Sequence, residues 1–123
     1  MDTSQGFSAR MEIIEVVELC YARGFRDKNL VTMIAIVGAE TNFDPTFNDG
    51  SKFGLVGLHP NDKNKEFLMD PTYSSLVARE RYERSFFAPW VTYATGAYYN
   101  FIKQSIAGVS ELYLKMFEAE LKV

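Results

Sequence analysis

One cysteine and one histidine are all that these 123 residues hold of the two side chains that most often ligate metals or pair as nucleophile and base. A single cysteine excludes an internal disulfide. A single histidine leaves a metal site without support, and no metal or organic cofactor is expected. Cys20, between Leu19 and Tyr21 in a helical pattern, reads as a small core residue rather than a nucleophile. No apolar run approaches the ~18 residues of a bilayer span, so membrane insertion is not expected. Positive charge is not clustered either. Thirteen Lys and Arg are interspersed among sixteen Asp and Glu, for a net charge of −3, which argues against a nucleic-acid footprint. The opening MDTSQGFSAR lacks the charged-then-apolar layout of a secretory signal. Internal repeats, low-complexity tracts and interdomain linkers are also absent.

The composition that remains is that of a folded domain, 47% hydrophobic and 24% charged. The length suits one hydrophobic core and is too short for two, so residues 1–123 read as a single, monomeric domain. Aromatic residues stand out at 15%, with ten Phe and seven Tyr. Core packing accounts for many of them, but clefts that hold sugars or peptides also use exposed Tyr and Trp.

Periodicity predicts a mostly α fold of about five to six helices around a buried central one. A first helix is expected from Ser8 as N-cap to Arg23, stopped by Gly24, with Ile13, Val16, Val17 and Cys20 on one face. Glu12, Glu15 and Glu18 form its solvated face. A second is expected from Lys28 to Glu40, capped by Asp27. Leu30, Val31, Met33, Ile34, Ile36, Val37 and Ala39 leave it almost no polar face, the mark of a buried helix. From Thr41 to Asn64 the turn signals Asp44-Pro45 and Asn48-Asp49-Gly50 predict a loop, with short strands or a hairpin over Phe53–Leu58. Asp70 and Pro71 cap and open a third helix to about Arg84, with Tyr73, Leu76, Val77 and Tyr82 inward. Pro89 and Trp90 open an aromatic-rich helical segment to about Lys103, interrupted at Gly96. Gly108 is expected to break the chain before a last amphipathic helix from Ser110, with Leu112, Met116 and Leu121 as its face and Tyr113 and Phe117 beside them.

The residue with the clearest chemical potential is Glu40. It ends the apolar helix, where the helix dipole disfavours negative charge, and Ile36, Val37 and Phe43 make part of its surroundings apolar. Both effects favour the uncharged acid, the form that protonates a glycosidic oxygen. On this ground alone, a helix that simply ends on a solvated Glu is the competing reading. A second carboxylate would serve as base or nucleophile across a sugar. Asp49 is the first candidate and Asp44 the second, although each also has an ordinary role as a turn residue.

The order of short motifs adds weight. Glu40-Thr41-Asn42-Phe43-Asp44-Pro45 resembles the Glu-Ser-x-Phe-x-Pro segment of goose-type lysozymes and soluble lytic transglycosylases. Phe53-Gly54-Leu55-Val56-Gly57-Leu58-His59-Pro60 is similar to that family's Gly-Leu-Met-Gln-x-x-Pro motif, and Leu68-Met69-Asp70-Pro71 to its next helix entry. Trp90-Val91-Thr92-Tyr93-Ala94-Thr95-Gly96-Ala97-Tyr98 resembles its Ala-Tyr-Asn-x-Gly segment, in a form like that of lysozyme-like domains of phage tail proteins. The resemblance spans roughly residues 28 to 102. Thr41 replaces the usual Ser, Gly57 the usual Gln and Ala94 the usual Asn, which removes two polar side chains from the pattern.

The resemblance implies an α+β lysozyme-like domain in which a loop or hairpin lobe lines a cleft. It implies cleavage of the MurNAc-β-1,4-GlcNAc bond of peptidoglycan glycan strands, by hydrolysis or lytic transglycosylation, with Glu40 as general acid. Thr41 and Tyr93 would hold the acid and the substrate. Backbone groups around Gly54, Leu55 and Val56 would bind sugar. His59, Trp90 and Tyr98 are further substrate-binding candidates. For Trp90 a core role competes, and for His59 a loop role. The setting implied is a virion or phage tail, with other tail proteins as partners and delivery to the cell wall by another component. Two rivals remain: a catalytically weakened or inactive module that binds glycan or builds a phage particle, and an unrelated all-helical interaction domain.

Overall fold

A computed structural model describes residues 10–122 and is mostly α-helical. The helices are α1 (Ile13–Ala22), α2 (Asp27–Thr41), α3 (Pro71–Ser85), α4 (Val91–Thr95) and α5 (Ile102–Leu121). Short 3-10 turns occupy Phe67–Met69 and Ala97–Phe101. Helix α2 is the centre. It packs against α1, α4, α5 and the 97–101 turn, and Leu30, Met33, Ile34, Ala35, Ile36 and Val37 are wholly buried. Each fully buried aliphatic side chain of this size contributes about 1.5–3 kcal/mol, so an apolar perimeter is stable only with neighbours on all sides.

Several boundaries differ from expectation. Helix α1 is capped by Glu12, not Ser8, which lies outside the described residues. Glu12 and Glu15 form a reciprocal capping box, with the Glu12 amide donating to Glu15 Oε1 at 3.0 Å. Arg26, not Asp27, is the N-cap of α2. Asp27 instead adopts φ +52°. Its amide donates to the Tyr113 hydroxyl at 3.0 Å, and that hydroxyl sits 3.1 Å from Asp27 Oδ1, tying the start of α2 to α5. The Asp70 cap and Pro71 entry of α3 are as predicted, with Asp70 Oδ2 accepting from the Tyr73 amide. Of its expected inward face, Val77 and Tyr82 are buried and Tyr73 packs against the core, but Leu76 is exposed and Ser74 and Ser75 are buried in its place.

Among the described residues no strand forms. The expected hairpin reduces to two isolated bridges, Asn48–Phe53 and Phe53–Leu58. This segment is nonetheless buried from Phe53 to Leu58. Its amides bond inward instead of to a partner strand: Gly54 to the Phe47 carbonyl at 2.8 Å, and Val56 to Ser74 Oγ at 3.3 Å.

The aromatic-rich segment after Pro89 is interrupted at Gly96, as expected. Helix α4 ends at Thr95, Gly96 takes φ +86°, and the 3-10 turn leads into α5. Helix α5 then runs unbroken through Gly108, where a chain break was expected. A Cβ there would sit 3.0 Å from Val17 Cγ2, so the bare backbone lets α5 approach α1. That contact offsets the ~1 kcal/mol helix cost of glycine. The buried face of α5 is Ser105, Gly108, Val109 and Leu112, whereas Met116, Phe117 and Leu121, expected on the inner side, are exposed.

Candidate active site

Helix α2 ends in an abrupt reversal. Asn42 (φ +55°) and Phe43 (φ +66°) are both left-handed, and the Asn42 amide closes the helix on the Gly38 carbonyl at 2.8 Å. Asn tolerates this conformation, whereas a bulky Phe is strained in it. Burial of the Phe43 ring edge-to-face on Phe101, and a 2.9 Å bond from the Met11 amide to the Phe43 carbonyl, hold the turn. The reversal leaves Glu40 in the last turn of α2 with its side chain 2% exposed.

Both Glu40 oxygens are engaged. Oε1 lies 2.9 Å from Lys52 Nζ, and Oε2 accepts from Thr92 Oγ1 at 2.9 Å. Three segments far apart in sequence, α2, the irregular loop and α4, thus meet on one carboxylate. The Lys52 side chain is 28% exposed, so the ammonium covers the acid from the solvent side. Burying a carboxylate without a partner is costly, and these two charge-assisted contacts offset that cost.

Gly57 completes the wall. Its φ of +65° belongs to the left-handed region, and a Cβ there would lie 3.1 Å from Glu40 Cβ and 3.2 Å from Glu40 Oε1. The backbone therefore passes directly over the carboxylate that Lys52 covers. A glutamine, the residue of the resembling motif, would crowd the acid from this backbone position.

The other sequence candidates fall in different places. The Thr41 hydroxyl is buried and donates to the Leu55 carbonyl at 2.7 Å, fastening the loop to α2 instead of facing outward. Leu55 and Val56 are core side chains, and Gly54 is buried against the Leu68 carbonyl. Trp90 is core, 2% exposed, with its indole Nε1 buried and unpartnered among the described residues. Tyr93 is exposed and makes no hydrogen bond to Glu40; that contact belongs to Thr92, one residue earlier. Tyr93 stacks on Tyr98 with centroids 5.1 Å apart, between Phe87 at 5.2 Å and, beyond Tyr98, the exposed Tyr99. His59 is exposed, with Nδ1 3.1 Å from the Ser51 carbonyl and 3.2 Å from Ser51 Oγ.

Neither candidate second carboxylate is free of structural duty. Asp49 Oδ1 accepts from the Ser51 and Lys52 amides at 2.9 and 2.7 Å, and these bonds, the Lys52 amide first, hold its carboxyl below the usual range. Asp44 Oδ1 accepts from the amide and hydroxyl of Thr46, both at 2.8 Å. Asp49 thereby orients the backbone of the lysine that reaches Glu40.

Sequence reasoning missed Lys52 and Thr92. Thr92 lies inside the Trp90–Tyr98 motif, one residue before the Tyr93 that the resemblance singles out. Lys52 carried no signal, because nothing in a loop sequence says where a long flexible side chain points. Among the described residues no helix is long and apolar enough to cross a membrane. No protein-family model, curated protein or solved structure matches the chain.

Proposed function

We propose that this domain is a peptidoglycan glycosidase of lysozyme-like architecture that cleaves the MurNAc-β-1,4-GlcNAc bond, with Glu40 as the general acid. The observation that carries the reading is the setting of Glu40: a buried carboxylate at the end of the central helix, held by Thr92 from the same segment that presents Tyr93. The Tyr93–Tyr98–Tyr99 row, backed by the buried Phe87, offers aromatic faces suited to stacking on sugar rings. In this reading the 42–66 segment forms the opposite wall of an extended cleft.

Glu40 acts once Lys52 leaves Oε1 and the carboxyl takes up a proton. It then protonates the leaving glycosidic oxygen, and the resulting carboxylate accepts a proton from the incoming hydroxyl. If that hydroxyl is the sugar's own C6 hydroxyl, the product is a 1,6-anhydro sugar and no second acid is needed. The turn duties of Asp44 and Asp49 favour this single-acid route over hydrolysis with a second carboxylate. A virion- or tail-borne setting is part of the proposal and rests on the resemblance of the Trp90–Tyr98 segment.

The Lys52–Glu40 contact also favours a second reading, a non-catalytic module that binds glycan while its acid stays closed. Incubating the chain and its Glu40→Gln form with purified peptidoglycan, followed by mass spectrometry of the released products, separates the two. Anhydro muropeptides from the unmodified chain alone support transglycosylation, and reducing ends support hydrolysis. Co-sedimentation without any release supports the binding module. Equal release by both forms removes Glu40 from the mechanism.

A further inference from the structure

A cavity of about 270 Å³ is lined by His59, Asn61, Arg81, Arg84, Ser85 and Pro89. Every polar side chain in this lining can donate a hydrogen bond, and none is a carboxylate, although the chain as a whole carries a net charge of −3. The Arg81 guanidinium is half-buried and has no ion pair or side-chain hydrogen bond among the described residues. The nearest acid along its own helix, Glu80, is taken by Arg84 at 3.1 Å and Lys63 at 3.6 Å. Burial draws the Arg81 group below the ordinary arginine range, and the nearby charges of Glu80 and Asp62 oppose this. Among the described residues this partly desolvated guanidinium feels Glu80 and Asp62 only through space, with no direct contact, and so retains donors for an anion.

The cavity is also tied to the Glu40 cluster from two sides. His59 is bonded to Ser51, the neighbour of Lys52, whose ammonium meets Glu40 Oε1. Pro89 precedes Thr92 by three residues, so their Cα atoms lie within about 11 Å of each other, and the Thr92 hydroxyl meets Glu40 Oε2.

We propose that this cavity binds a carboxylate of the peptide stem carried by the muramyl sugar, with Arg81 as the principal anchor, Arg84 and His59 beside it and Ser85 and Asn61 completing the donor set. The planar fork of Arg81 suits bidentate binding of a carboxylate. The assignment rests on the glycosidase reading for the source of the carboxylate, but not for the binding itself. The pocket makes stem-bearing strands preferred over bare glycan.

The test is a titration of the full chain followed through the His59 ring resonances. The ligands are N-acetyl-L-alanyl-D-glutamate, a dicarboxylate fragment of a stem, and inorganic phosphate. We expect a saturable shift with the dipeptide, weakened at least about tenfold in Arg81→Gln. Arg84→Gln, a change at an exposed side chain, serves as a second variant and is expected to weaken binding less. No saturable shift, or equal affinity of the unmodified chain and both variants, overturns the site. Phosphate binding as tightly as the dipeptide overturns the peptide assignment and points to a phosphate-bearing wall polymer. Cleavage assays on intact and amidase-stripped peptidoglycan run alongside. Cleavage without dipeptide binding removes the pocket and leaves the glycosidase, whereas dipeptide binding without cleavage does the reverse.

Discussion

Lys52 Nζ rests 2.9 Å from Glu40 Oε1, bridging twelve positions of chain to cover a carboxylate whose side chain is 2% exposed. Removing the ammonium leaves a buried negative charge with, among the described residues, only Thr92 as partner. Lys52→Met is therefore expected to destabilise the fold by about 1–3 kcal/mol, less than for a fully enclosed pair because Lys52 is partly exposed. Adding Glu40→Gln should restore most of the loss, since the uncompensated charge is then gone. Urea unfolding of the two single variants and the double variant measures the coupling. Additive losses would show that the pair is not an energetic unit.

The same lysine controls access to Oε1. If Glu40 is the acid, Thr92→Val should lower kcat on peptidoglycan by about tenfold or more, through the lost bond to Oε2. Its effect on KM should be small, because Thr92 meets the acid. The kcat and KM of the purified variant decide this, and a change confined to KM would reassign Thr92 to substrate binding.

Gly57 is held at φ +65° with its backbone against Glu40. Gly57→Ala is expected to cost about 1–2 kcal/mol from the left-handed conformation alone. The added Cβ, 3.2 Å from Oε1, should also disturb the Lys52 contact. Thermal unfolding, with the Lys52 and Thr92 resonances as local reporters, tests both parts. An unchanged melting temperature would mean that the turn relaxes.

Asp49 makes a pH prediction. Its carboxyl is held below the ordinary aspartate range by the Lys52 and Ser51 amides, so the folded state favours the ionised form. The resulting stabilisation of the 49–52 turn is fully present above the unfolded-state value and is lost as pH falls through the lower folded-state value. The Ser51 and Lys52 amide resonances should shift together below about pH 4, and Asp49→Asn should abolish that transition.

Cys20 lies in the core with Val16 and Val17, and burial pushes its thiol up to about 12. It should resist iodoacetamide at pH 8 in the folded protein and react at the ordinary thiol rate in denaturant. Rapid native-state labelling would mean that α1 opens locally.

Much of the helical scaffold is legible in the chain itself. The apolar perimeter of α2 marks it as central, because no lesser degree of enclosure stabilises such a surface. Asp70-Pro71 marks the start of α3, because the cap and the proline act within one turn of their own backbone. Glu40 is legible as a carboxylate ending a buried helix. All of these are local effects, written in neighbouring residues.

What the tertiary structure decided is long-range. Gly108 reads as a breaker until the packing of α5 on Val17 gives its missing Cβ a purpose. Phe53–Leu58 reads as strand because its residues are apolar, yet its amides find Ser74 and the Phe47 carbonyl in place of a partner strand. Thr41 reads as a residue of the site, yet its hydroxyl fastens the loop. The partners of Glu40 come from positions 12 and 52 residues away, joined only when the loop and α4 close on the end of α2. The chain by itself determined that a carboxylate, Glu40, sits at the end of a buried helix. Only the fold decided what touches it, because the direction of a flexible side chain is set by the surfaces packed around it.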